Sequence, residues 1–207
     1  ILAGMNAQRA QSVDELLAAY ADYHSPMQNV VAADVGGAIA YKAIGKVPLR
    51  KVDNELKGMA PAPGWEAKYD WDGWLPYAQN PSSAGTKGWV ATANQRIHAA
   101  DYPHFLGQDW TPPQRFDRIE ALLAASPQHD LASMQRIQAD TLSIATQALL
   151  PVLRATVSSH ALASAAQAQL KDFDANMRAG SAAPLIFAAW ADELTRGLIA
   201  PKLGEAK

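Results

Sequence analysis

Gly88-Trp89-Val90-Ala91-Thr92-Ala93-Asn94-Gln95-Arg96-Ile97, followed by Thr111-Pro112-Pro113-Gln114-Arg115-Phe116-Asp117-Arg118-Ile119, is the stretch around which the rest of this chain organises. Trp89-Val90-Ala91-Thr92 has the aromatic and β-branched content of a short strand, ending at Ala93-Asn94. An asparagine in that position is by default a turn former or a helix cap. The second half opens a helix, with Thr111 as N-cap, Pro112 at the first helical position and Gln114 at the capping-box position. Phe116, Ile119, Leu122 and Leu123 then recur at the spacing of one buried helical face.

Upstream, Ser12-Val13-Asp14-Glu15 reads as a capping box, and Leu16, Leu17, Tyr20 and Tyr23 give a helix over 12–23 its apolar face. The runs 29–34 and 38–43 flank Val35-Gly36-Gly37, where glycine supplies the positive φ of a turn, so two antiparallel strands are expected. The segment 47–83 is rich in Pro, Gly and aromatics and has weak periodicity, which predicts a long irregular excursion. Downstream, Met134, Ile137, Thr141, Ile144, Ala145 and Ala148 keep helical spacing, and Pro151 predicts a kink or break. Further helices are expected over 159–172 and around Phe187, Trp190, Ala191, Leu194 and Leu198. The fold class is α+β, with a strand-and-loop portion over 1–97 and a mainly helical portion over 98–207.

The chain has 207 residues, 49% hydrophobic and 18% charged, enough apolar material for a core in one domain or slightly more. With 18 basic against 20 acidic side chains and no basic cluster, it lacks the electrostatic footprint for nucleic acid or an anionic membrane surface. No apolar run reaches the ~18 residues of a membrane span, and the first residues do not form a signal peptide. The absence of cysteine removes disulfides and thiolate metal sites.

Five blocks keep a fixed order along nearly the whole chain. They are Pro26–Asp34 running into Gly37-Ala38-Ile39-Ala40 and Gly45-Lys46-Val47-Pro48-Leu49-Arg50; Gly64-Trp65 with Tyr69-Asp70-Trp71-Asp72-Gly73-Trp74, Pro76 and Asn80-Pro81; Gly88–Arg96; Asp109-Trp110 with Pro112, Arg115 and Arg118-Ile119; and Met134–Asp140 with Ser143. In that order they resemble part of the β chain of the penicillin acylase (penicillin amidase) family of N-terminal-nucleophile hydrolases. Phe173 stands where tryptophan is more usual.

The resemblance implies strands joined to a larger αββα core and hydrolysis of a non-peptide amide. The acyl group would belong to a β-lactam side chain, an acyl-homoserine lactone or a lipopeptide. It implies a serine nucleophile, created by self-cleavage, whose own α-amino group acts as base. Because the chain begins with Ile1, that serine is expected outside it, and the chain alone is expected to be inactive. Asn94 matches the family's oxyanion-hole asparagine, whose N–H2 stabilises the charge that develops on an attacked carbonyl, a contribution of about 3–4 kcal/mol. Arg118 matches a residue near the nucleophile whose charge would lower the pKa of the terminal amine. Arg115 lies three residues earlier and shares a helical face with it, so spacing does not decide which arginine is functional. No cofactor is required; a calcium ion at the chain interface is a family feature for which Asp101 is a candidate ligand, one oxygen donor of the six to eight needed. The remaining acylase sequence would be the partner, and the periplasm the location.

Other readings compete. Trp71 and Trp74 are candidate substrate-binding residues within an aromatic group that includes Trp65, Tyr69 and Tyr77, and a non-catalytic module could use that group to hold a sugar or an acyl chain. Alternatively, the segment is a structural subdomain whose strand edges pair with other sequence. His98 and His104 have no zinc spacing and read as surface histidines. Ser82-Ser83 and Ser158-Ser159-His160 lack a nucleophile-elbow pattern.

Overall fold

A computed structural model describes residues 1–204 and divides the chain into two compact units, Ile1–Phe116 and the residues from Asp117 onward. In the first unit, helices α1 (Leu2–Ala7) and α2 (Val13–Ala19) precede strands β1 (Gln28–Ala33) and β2 (Ile39–Ile44). Ser12 caps α2 by accepting from the Glu15 amide at 3.2 Å. The Glu15 carboxylate accepts from the Gln11 amide rather than from Ser12, so the expected reciprocal box is shifted by one residue.

β1 and β2 pair antiparallel, with Gln28 opposite Ile44 and Ala33 opposite Ile39. Gly37 takes the expected positive φ in the turn. The Asp34 carboxylate closes that turn by accepting from the Ala38 amide, and it reaches across to the Val13 amide at the start of α2. These amides, Val13 foremost, hold its pKa below the usual carboxylate range. One side chain thereby fixes the helix N-terminus against the hairpin.

The excursion over 47–83 is less irregular than its periodicity suggests. It contains β3 (Pro48–Arg50) paired with β4 (Trp71–Trp74), and β5 (Ser82–Ser83), which adds a third strand to the hairpin in the order β1-β2-β5. Such two- to four-residue strands are set by distant partners, so alternation over their own length cannot announce them. Asn80-Pro81 is the hinge of this arrangement. Asn80 is buried, and its Nδ2 donates to the carbonyls of Ala43 and Gly45 at 3.0 Å each, while the Pro81 carbonyl accepts from the Ala43 amide. Gly45 is required here, because its φ is +112° and a Cβ would lie 2.8 Å from Met27 Cα. On the same face of β2, Lys42 is buried, donates to the Asn80 carbonyl at 3.1 Å and lies 4.7 Å from the centre of the Tyr77 ring; burial lowers its pKa. Asn80→Ala leaves two carbonyls at the end of β2 without their donors and should destabilise the fold by about 2–4 kcal/mol in urea denaturation. A loss below about 1 kcal/mol would mean that water replaces the amide.

The second unit is helical: α4 (Leu131–Gln138), α5 (Ile144–Ala155), α6 (Ala163–Leu170) and α7 (Ala183–Leu203). Helix α3 (Gln114–Ala124) starts two residues later than its proline signal predicts. Leu150, Leu153, Leu170, Phe173, Ala183 and Phe187 form the core, so Phe173 fills its position as a buried aromatic. Arg154 ties α5 to this core by donating to the carbonyls of Leu170 and Phe173. Of the kink or break expected at Pro151, the break does not occur: α5 continues through it, with Leu150 and Leu153 buried on either side of the turn that lacks the proline's N–H. The helical run does break at 139–143, where the Ser143 amide donates to Ala175 and the Met177 amide to Thr141.

Candidate active site

Residues 89–93 are not a strand, contrary to expectation. Among the described residues no strand pairs with this stretch; the backbone and side chains of 92–94 are instead tied down one by one. Asn29 Nδ2 donates to Thr92 Oγ1 at 2.9 Å. The Ala93 amide donates to Gln95 Oε1 at 2.7 Å, and the Asn94 carbonyl accepts from the Thr111 amide at 2.9 Å. One nitrogen of Arg115, Nη2, donates both to the Ala93 carbonyl and to Asn94 Oδ1, each at 2.8 Å.

Asn94 itself has φ +65°, a left-handed conformation that asparagine tolerates better than most residues with a Cβ. The Arg115 contact consumes the oxygen of its amide. An amide with its oxygen engaged by a cation has a fixed orientation, and its Nδ2 hydrogens face away from that cation. The Asn94 side chain is exposed on this chain. The arrangement is thus an oriented N–H2 donor at an accessible point, which suits it to an acceptor that arrives from outside the segment.

Arg118 is placed differently. Its Nε and Nη2 grip Asp140 in a bidentate pair at 2.9 and 2.6 Å, and both side chains are mostly buried. Hydrogen bonding to Arg118 holds the Asp140 carboxyl below its ordinary range and raises the guanidinium in turn. The charge of Arg118 is therefore already matched by a carboxylate, whereas Arg115 meets neutral oxygens. Both arginines sit on α3, three residues apart, and only the three-dimensional partners distinguish them. Asp140 and Thr111 had no functional signal of their own in the sequence.

Trp71 and Trp74 lie on β4 and are exposed, with ring centres 5.1 Å apart in an edge-to-face contact. His24 packs against Trp74. Tyr69 and Tyr77 are engaged elsewhere, Tyr69 with Glu55 and Tyr77 with the Leu17 carbonyl, so the aromatic group is not one flat platform. His98 and His104 are half-buried rather than surface residues. They pack around Tyr102, and the His98 ring also meets Trp110, lining a crevice of about 450 Å³.

The profile of the penicillin amidase family matches residues 1–207. The chain belongs to the penicillin amidase family. It is 31% identical to the acyl-homoserine lactone acylase QuiP of Pseudomonas aeruginosa over 95% of its own length and 24% of that protein's. It is 36% identical to the penicillin acylase 2 proenzyme of a Pseudomonas species, over 81% of this chain and 22% of the relative. It spans about a quarter of these relatives. A thermostable penicillin G acylase from Alcaligenes faecalis has the same fold, with a TM-score of 0.76 at 19% identity over 99% of this chain and 38% of that one. The α+β class therefore holds, with the fold of that acylase.

The penicillin amidase resemblance implies a calcium ion at the chain interface. Asp101 lies exposed on an irregular segment, and among the described residues no group of three or more carboxylate or histidine side chains converges. The donors among the described residues do not fit a calcium site. Among the described residues no helix is long and apolar enough to cross a membrane.

Proposed function

We propose that this chain is the portion of a penicillin-amidase-type acylase that supplies the oxyanion donor for hydrolysis of a linear, non-peptide amide. The observation that carries this reading is the clamped Asn94 amide, whose oxygen is held by Arg115, which turns its N–H2 away from that cation. In the proposed reaction, the hydroxyl of an N-terminal serine from the remaining acylase sequence attacks the amide carbonyl. The serine's own α-amino group takes the hydroxyl proton and passes it to the departing amine. Asn94 Nδ2 donates to the tetrahedral oxyanion, and water then releases the carboxylic acid from the serine ester.

Family membership and relatives named as acyl-homoserine lactone and penicillin acylases support an acyl amide as the substrate class. Arg118 acts indirectly in this reading, through its grip on Asp140, and Arg115 is the cation beside the oxyanion donor. The remaining acylase sequence is the partner. The serine is freed by self-cleavage and the enzyme is periplasmic, both by analogy with the family; Trp71 and Trp74 are the proposed contacts for an apolar acyl group.

Intact mass under denaturing conditions, paired with native mass and an amide-hydrolysis assay, tests this reading. The expected result is a complex of this polypeptide sequence with one beginning in serine, active on phenylacetyl or long-chain acyl amides. An intact assembly with no new serine terminus and no hydrolysis of either would overturn it.

A further inference from the structure

The segment that carries Asn94 has no ladder to hold it, so something else must fix its position to the fraction of an ångström that oxyanion stabilisation needs. Of its contacts, one leads directly into the β1–β2 hairpin. Asn29 stands opposite Ala43 in the hairpin register, which makes Tyr41 its diagonal neighbour on the same face. The Tyr41 hydroxyl donates to Asn29 Oδ1 at 2.7 Å, and Asn29 Nδ2 donates to Thr92 Oγ1 at 2.9 Å. Thr92 is two residues from Asn94.

This chain has a direction. Tyr41 is buried, and burial pushes its pKa up, so the phenol stays protonated and donates. Donation fixes which way the Asn29 amide faces, and only that orientation presents N–H2 to Thr92. We propose that Tyr41, Asn29 and Thr92 form a brace that sets the position of Asn94 in the sheet frame, making them positioning residues for acyl transfer. The brace transmits geometry, not protons, and touches no substrate. It rests on the acylase reading given above.

The test uses the complete enzyme and four variants. Thr92→Val keeps the shape of the side chain and deletes the acceptor; Thr92→Ser keeps the acceptor; Tyr41→Phe deletes the first donor; the fourth combines Thr92→Val with Tyr41→Phe. With the brace as described, Thr92→Val lowers kcat by about 10-fold or more, with KM within about twofold of wild type and an unchanged melting temperature. Thr92→Ser restores most of the loss. Tyr41→Phe lowers kcat in the same sense, and the double variant is no slower than Thr92→Val, because both changes break one chain.

Wild-type kcat in Thr92→Val overturns the brace, as does a rise in KM with kcat unchanged, which would make Thr92 a substrate contact. Should Thr92→Val fail to fold, the decision passes to Tyr41→Phe, in which an unchanged kcat is the overturning result. Failure here is separable from failure of the acylase reading: an active Asn94→Asp enzyme sinks that reading, whereas a brace variant with full activity leaves it standing.

Discussion

Asn94→Asp in the complete enzyme should lower kcat by about 100- to 1,000-fold, the usual cost of removing one oxyanion donor. Aspartate is the informative substitution because of the backbone. At φ +65° an alanine adds strain of its own, whereas aspartate shares the tolerance of asparagine for the left-handed region. It also preserves the acceptor that Arg115 grips at 2.8 Å and turns that contact into an ion pair. What is lost is the N–H2 group, replaced by an oxygen that repels the developing charge. The melting temperature should be unchanged or slightly higher, so inactivity could not be attributed to misfolding. Steady-state kinetics with a chromogenic acyl amide gives the answer, and wild-type turnover would remove Asn94 from the mechanism.

The sequence disclosed this site unevenly. The hairpin was legible because β1 and β2 are adjacent and meet at a glycine turn, so the signal is local. The cap at Ser12 was legible for the same reason, although the shift of the Glu15 contact to Gln11 was not. The strand expected over 89–92 failed because composition reports a preference for extended backbone, not the presence of a neighbouring strand. Just beyond it, the polar groups of 92–94 are met by Asn29, Gln95, Thr111 and Arg115, while the buried Trp89 Nε1 has no partner among the described residues. Asn80 is a similar case: its partners are the carbonyls of residues 43 and 45, more than thirty positions earlier. A motif can therefore be visible as a resemblance while its physical purpose, here the closure of β2, depends wholly on contacts distant in sequence. The helical unit was legible in part: Phe187, Trp190 and Ala191 pack on its core, whereas Leu194 and Leu198, expected on the same face, are exposed. Pro151 does not break α5, because burial of its neighbours outweighs one missing hydrogen bond.

The two arginines of α3 provide the second large effect. Arg115→Lys keeps the charge but replaces a planar fork with a single ammonium on a flexible stem, which cannot reproduce the fixed geometry that joins the Ala93 carbonyl to Asn94 Oδ1. An Asn94 amide free to rotate spends part of its time with oxygen toward the oxyanion, so kcat should fall by about 10- to 100-fold with little change in KM. Arg118→Lys breaks a bidentate pair with Asp140 instead. Its expected signature is a lower melting temperature with kcat close to wild type for the folded enzyme. The reverse pattern, with Arg118→Lys slow and its melting temperature unchanged, would mean that the planar geometry of Arg118 serves the reaction despite its carboxylate partner. Because lysine retains the positive charge in both variants, the comparison isolates geometry first. A second pair, Arg115→Gln and Arg118→Gln, then removes the charge, and the variant whose acidic pH–rate limb moves identifies the arginine to which the catalytic amine responds.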